Sequence, residues 1–309
     1  MHLAEGVLPL PHASLCWLGA TAALAWSLRG ERYTATNLVE HEESYRLLRA
    51  ASTSLLFAVT LFPMPVPVAG ATSHICLTPC MALLLGPRRV VPPTFFVLLL
   101  QALFFAHGGI TTLGANTLTL GLVGPVCAMV TWRGCRWAGS SVPWAVAVAC
   151  GMGDIAVYLT DAALVAWALA EVSPPQVTAW LVVGGFAPVQ LPLAVLEGVT
   201  SAALVRMLGK RRPELLPLAL RERTASPGSG LALLLLVLLP ILPLLAGCGY
   251  RGLDDSVFGD VAAAAGRAPR DPLLNFGEGE VGLAGTIVIL FGAGFFVGRA
   301  FERLFGSRR

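Results

Sequence analysis

The sequence predicts an all-α integral membrane protein, a helical bundle of about nine transmembrane segments with its N-terminus outside. Three observations predict it. The 309 residues are 56% hydrophobic and only 13% charged, with mean hydropathy +0.74, far from the composition of a soluble domain. The apolar residues gather into stretches near the roughly 20 residues that a helix needs to cross a bilayer. Of the 21 Lys and Arg residues, all but Arg251, Arg267 and Arg270 fall on one side of the resulting topology, the bias expected of inside segments.

The expected spans run, in order, over residues 13–28, 50–69, 79–106, 113–132, 143–170, 178–208, 229–249 and 281–298. Arg29, Arg32, Arg46 and Arg49 keep the connection between the first two inside. The stretch 79–106 is too long for one crossing, and Gly86-Pro87-Arg88-Arg89 reads as a turn between a short half and a full helix. Arg133 and Arg136 follow the next span, and Arg206, Lys210, Arg211 and Arg212 end the one over 178–208. Arg299, Arg303, Arg308 and Arg309 leave the C-terminus inside, so the small positive net charge reflects topology and gives no argument for nucleic acid.

Three parts are expected: residues 1–212 as a compact set of spans, a cytoplasmic linker over 213–229, and a two-span segment over 230–309 with a Gly/Asp-rich outside loop at 250–280. The N-terminus lacks a basic n-region, carries Glu5, and its apolar run continues into a full span, so it does not read as a cleaved signal. Seven cysteines, an odd number scattered through apolar spans, predict free thiols. No GxxxxGK[ST] run is present, and Lys210 is the only lysine, which excludes ATP hydrolysis by that machinery. His41-Glu42-Glu43-Ser44-Tyr45 lacks the second histidine of a zinc-protease helix. His12 is expected to be solvated.

The chemistry begins at Met1-His2. A free α-amine, the amide nitrogen of residue 2 and the Nδ1 of its imidazole can close a five-membered and a six-membered chelate ring on one ion. Three nitrogens in one plane suit a tetragonal ion such as Ni(II) or Cu(II), with one in-plane position open.

Five stretches in order carry a resemblance. They are Met1-His2-Leu3-Ala4-Glu5-Gly6-Val7-Leu8-Pro9, then Thr72-Ser73-His74, then Ala106-His107-Gly108-Gly109-Ile110-Thr111-Thr112-Leu113-Gly114-Ala115-Asn116, then Asp154 with Tyr158, and finally Gln190-Leu191-Pro192 with Glu197-Gly198. Over about residues 1–210 the chain resembles the CbiM/NikM family, the substrate-capture membrane subunits of nickel and cobalt energy-coupling-factor (ECF) transporters. Residues 230–309, with Asp254-Asp255 in the loop, resemble the small CbiN/NikN partner fused in line.

The resemblance implies a metal held by the Met1 amine, the His2 amide nitrogen, the His2 imidazole and His74, a square-planar set of four nitrogens. That set favours Ni(II) over Zn(II) or Mg(II), with Co(II) as the other candidate cargo. It further implies an importer subunit with no enzymatic activity and no resident cofactor, seated in the lipid bilayer of a prokaryotic inner membrane with its C-terminus cytoplasmic. Energy would come from separate ATP-binding subunits through an ECF coupling membrane subunit. His107, Thr111 and Asn116 are candidates to support the ligands from behind. Cys76 and Cys80 depart from the small Gly and Thr residues usual around His74. They are either selectivity-altering thiolates or small apolar residues at a packed helix start. Asp154, Asp161 and Glu197 are the acids placed within spans, where a charge costs a few kcal/mol. Two other readings stay open: an intramembrane metalloenzyme using His74, His107 and a nearby acid, and an accessory subunit that binds no metal.

Overall fold

The computed structural model describes residues 2–34, 42–61, 64–66, 71–105, 107–221, 264 and 266. Met1 and the expected spans at 229–249 and 281–298 lie outside the described residues, as do Asp254 and Asp255. The chain is mostly helical. Helix α1 covers Leu10–Thr34 and α2 covers Glu42–Thr60. A short antiparallel hairpin follows, β1 over Met64–Val66 and β2 over Ala71–Ser73, in register Met64↔Ser73. Then come α3 (Thr78–Leu85), α4 (Val91–Phe104), α5 (Leu113–Leu118), α6 (Gly124–Trp137), α7 (Val142–Ala168) and α8 (Pro175–Arg211).

The hairpin corrects an expectation of helix to residue 69. Pro63, Pro65 and Pro67 alternate there, and a proline every second residue removes the amide donors that a helix ladder needs. The helix therefore lies earlier in the chain than the apolar stretch suggested, and the all-α description gives way to a helical bundle with one small hairpin.

Proline also starts helices. Pro79, Pro143 and Pro175 stand in the first turns of α3, α7 and α8, where the missing N–H would have had no intrahelical partner. Between α3 and α4 the run Pro87–Val90 makes one tight turn, as the Gly86-Pro87 signal predicted. Between α5 and α6 the residues Thr119–Val123 widen into a π-turn. Pro125 has no N–H to give back to that turn, a recognised cause of such bulges.

Three helices among the described residues are long and apolar enough to cross a membrane: Leu113–Trp137, Val142–Ala168 and Pro175–Arg211. Their outer faces present exposed Val130, Trp144, Leu159, Trp180, Leu181 and Val195, a surface suited to lipid rather than water. Trp144 and Trp167 stand near opposite ends of α7, about 35 Å apart at the rise of a helix. That spacing fits indole anchors at the two edges of a ~30 Å hydrocarbon layer.

Helix α3 is buried along its whole length. An eight-residue helix apolar on every side is stable only when surrounded, and α3 is enclosed by α2, α6, α7 and α8. A second core gathers Leu3, Ala4, Val7 and Leu8 against Ala13, Ala115, Tyr158, Val165 and Phe186. The N-terminal peptide is thus an interior element of the bundle.

Candidate metal centre

The N-terminal peptide is fixed by the turn that precedes α5. The Leu3 amide donates to Asn116 Oδ1 at 2.8 Å, and Asn116 Nδ2 donates back to the Leu3 carbonyl at 3.1 Å. Thr112 Oγ1 donates to that same carbonyl at 2.7 Å. Two residues on, the Thr111 amide donates to Glu5 Oε2 at 3.0 Å and Gly6 donates to Thr111 Oγ1 at 3.4 Å. Leu3 is wholly buried, so each of its three bonds satisfies a group that water cannot reach, worth about 1 kcal/mol net and more if orphaned. Gly109 admits the peptide: a Cβ there would lie 2.6 Å from the Glu5 Cα.

This locking sets His2 inside the bundle at 5% exposure, against His74 at 1%. The His2 ring lies 4.6 Å from that of His74 and 4.3 Å from that of His107, and His74 and His107 are 5.8 Å apart. One ring nitrogen from each of the three falls within 4.8 Å of the others. His74 arrives from the end of β2, its Nδ1 3.1 Å from the Ile75 carbonyl. A carbonyl only accepts, so Nδ1 carries the hydrogen and Nε2 carries the lone pair. Both nitrogens of His2 and Nε2 of His107 are buried without a hydrogen-bond partner. Unsatisfied imidazole nitrogens facing one another form a donor set that a metal cation would satisfy.

Electrostatics keeps these rings neutral. Burial lowers His2 well below the usual imidazole value, helped by His107 and His74, and burial likewise lowers His74. His107, held through the Thr60 carbonyl, is brought down to about 4, again chiefly by burial. Neutral imidazole is the form that ligates metal.

Beside this cluster lies a second one. Between β2 and α3 the chain turns sharply: the Thr78 amide bonds the Cys76 carbonyl at 2.7 Å, and Leu77 adopts the left-handed φ of 57°. A leucine in that region costs about 1–3 kcal/mol and persists only where its surroundings demand it. Here the Cys76 amide is bound to Glu197 Oε2 at 2.7 Å. Cys76, Asp154 of α7 and Glu197 of α8 bring one ligand atom each within 4.8 Å. Gln190 Nε2 donates to Asp154 Oδ2 at 2.6 Å, and Ser73 Oγ donates to Gln190 Oε1.

Of the residues singled out in the sequence, His2, His74 and His107 meet, and Thr111 and Asn116 bind the N-terminal peptide rather than the rings. Met1 lies outside the described residues. Cys76 is brought to the acids and not to the histidines, and Cys80 joins neither cluster, hydrogen-bonding Cys150 and Ser201 instead. Asp161 is buried in α7 and faces Thr119. His12 is not solvated: it lies half-buried with its ring 4.0 Å from that of Trp167. The six described cysteines are free. Sequence reasoning missed the roles of Glu5, Gln190 and Leu77. Glu5 and Gln190 lay inside recognised motifs, whereas nothing local marks Leu77.

An apolar bundle closed around a buried nitrogen cluster defines the class, a multi-pass membrane protein of the transporter kind. Residues 2–215 match the family described as the cobalt uptake substrate-specific transmembrane region, CbiM. A cobalt transport protein CbiM of Geobacter sulfurreducens is 35% identical over 324 residues, covering 100% of this chain and 91% of the relative. One from Sorangium cellulosum is 37% identical over 70% of this chain and 94% of its own length. The crystal structure of a truncated transition metal transporter shares the fold at TM-score 0.60 and 20% identity, over 68% of this chain and 99% of that one. The chain belongs to the CbiM family, whose members named here are transporters and not enzymes.

Proposed function

We propose that this protein is the substrate-capture subunit of an ECF-type importer that takes up a divalent transition metal, nickel or cobalt. The single observation that carries the reading is the buried triangle of His2, His74 and His107, closed by an N-terminal peptide that Asn116 and Thr112 hold from both sides. The Met1 amine, the His2 amide nitrogen, His2 Nδ1 and His74 Nε2 supply four nitrogens to the ion. His107 stands by as a fifth, which a square-planar Ni(II) leaves aside and a higher-coordinate Co(II) recruits.

Capture occurs at the outer face, where the N-terminus enters, and about nine spans carry the chain to a cytoplasmic C-terminus in a prokaryotic inner membrane. The sequence has no GxxxxGK[ST] run, so inward release is driven by separate ATP-binding subunits through a coupling membrane protein. The linker over 213–229 leads to a CbiN/NikN-like segment over 230–309. In support, the Geobacter relative aligns with the whole chain while the Sorangium relative covers 70% of it.

The test is metal content and visible absorption of the purified protein, with and without one extra residue ahead of Met1. A stoichiometric ion lost on extension supports the N-terminal chelate, and a square-planar spectrum assigns it to nickel. An ion retained in the extended form sinks the chelate.

A further inference from the structure

The cluster of Cys76, Asp154 and Glu197 has the build of a binding site in its own right. Its three side chains come from three separate elements: the turn into α3, the middle of α7, and α8. All three are closed to solvent. Each carboxylate is oriented through one oxygen and offers the other. Asp154 is held at Oδ2 by Gln190 and Glu197 at Oε2 by the Cys76 amide, while Asp154 Oδ1 and Glu197 Oε1 are buried with no partner among the described residues. Carboxylates that ligate metal are held in this way by hydrogen bonds to the oxygen not on the ion.

Neither acid is paired with a basic side chain among the described residues. Two adjacent carboxylates in a bilayer interior are expensive to keep ionised alone, and a divalent cation between them removes the penalty. The sulfur beside them decides which cation. Oxygen ligands alone suit Mg(II) or Ca(II), whereas a thiol sulfur adds a soft donor that suits first-row transition ions. Cys76 is only two residues past His74 in the sequence, so the two clusters adjoin, the second toward the middle of α7.

We propose that Cys76, Asp154 and Glu197 form a second, inner binding station for the divalent transition metal, occupied after the ion leaves the histidine nitrogens. Cys76 ligates as the thiolate, its proton passing to the Asp154 carboxylate to which it is hydrogen-bonded, so that the thiolate and the Glu197 carboxylate balance the two charges of the ion and Asp154 adds a neutral oxygen. A site of mixed donors without a chelating backbone holds the ion more loosely than the outer set, as a station of passage must. Cys80 and Cys150, in contact with one another and with Ser201, offer the next donors beyond it. The proposal rests on the capture reading for where the ion comes from, and its existence is tested separately.

The experiment titrates the full-length protein in detergent with cobalt(II) chloride, whose sulfur-to-cobalt absorption in the near ultraviolet reports thiol ligation. About two equivalents are expected, the weaker bringing the sulfur band. In Cys76→Ser the band and one equivalent disappear while the visible bands of the first ion remain, which also reports an intact fold. In Asp154→Asn the band survives at saturating cobalt but its midpoint rises about 10–100-fold. This second variant decides the matter if Cys76→Ser does not fold. His74→Ala should remove the first equivalent and spare the sulfur band. One equivalent in the native protein, or a sulfur band that survives Cys76→Ser, overturns the inner station. Two equivalents kept in His74→Ala would instead overturn the capture reading and leave the inner station standing.

Discussion

Asn116 is the residue on which the outer cluster depends without touching an ion. It accepts from the Leu3 amide and donates to the Leu3 carbonyl, pairing with both backbone groups of one residue as a neighbouring strand would. Replacing it by Ala orphans the buried Leu3 amide, at about 1–3 kcal/mol, while Thr112 still donates to the carbonyl. We expect metal affinity to fall about 10–100-fold in Asn116→Ala with the helical content unchanged, measured by competition with a chromophoric chelator. The imidazoles set a pH dependence. The unfolded rings protonate near 6.5 and the folded His107 only at about 4, so acidification favours the unfolded chain from about pH 6.5 downward, while the folded rings stay neutral and open to metal until about pH 4. The melting temperature of the metal-free protein should therefore drop steadily between pH 7 and 5, and a flat profile would contradict buried neutral imidazoles. The histidines were legible in the sequence because Met1-His2 is a chelating pattern by its own chemistry. The Glu5 contact was not, since a glutamate four residues from the end of a chain carries no sign of the distant amide that it will meet.

At the scale of the element, short glycine and proline signals did more than periodicity. Gly86-Pro87 marked the break between α3 and α4, and the Pro63 to Pro67 alternation, passed over in favour of hydropathy, marked the hairpin that delivers Ser73 and His74. Leu77 was illegible because its left-handed turn is imposed by burial and by Glu197, both of them long-range. Helices α7 and α8 pack through small residues: a Cβ on Gly151 would lie 2.9 Å from the Ala194 carbonyl, and one on Gly198 would run into Ala147. Close backbone approach of this kind drives association of helices in lipid. Gly198→Leu should separate the pair, lower thermal stability by several degrees in a detergent melt, and weaken metal binding with it. Nearer the start of α8, the Tyr158 hydroxyl bonds the carbonyls of Val182 and Val183 at 2.7 Å. Tyr158→Phe, away from either cluster's ligand atoms, should cost only about 1 kcal/mol in the same melt.

For the whole molecule, the family match over residues 2–215 takes in both side-chain clusters. A chain cut after Arg221 should therefore keep its metal stoichiometry in a purified sample, while any loss of cellular uptake would then measure what the remainder adds. Helix α8 extends 37 residues, about 55 Å, against a hydrocarbon layer of ~30 Å. It carries Gln190 and Glu197 against one cluster and Lys210 and Arg211 at its far tip. Such a rod, pinched against α7 near Gly198, is built as a lever whose fulcrum lies beside the cluster of Cys76, Asp154 and Glu197. A coupling protein that swung the charged tip by about 5 Å would rotate the rod by roughly 15° about that pinch, on the helical rise of about 20 Å between them. Glu197, beside the fulcrum, would be turned by that angle rather than carried away, so that a push at the charged tip would re-aim its carboxylate against the Cys76 amide from a distance.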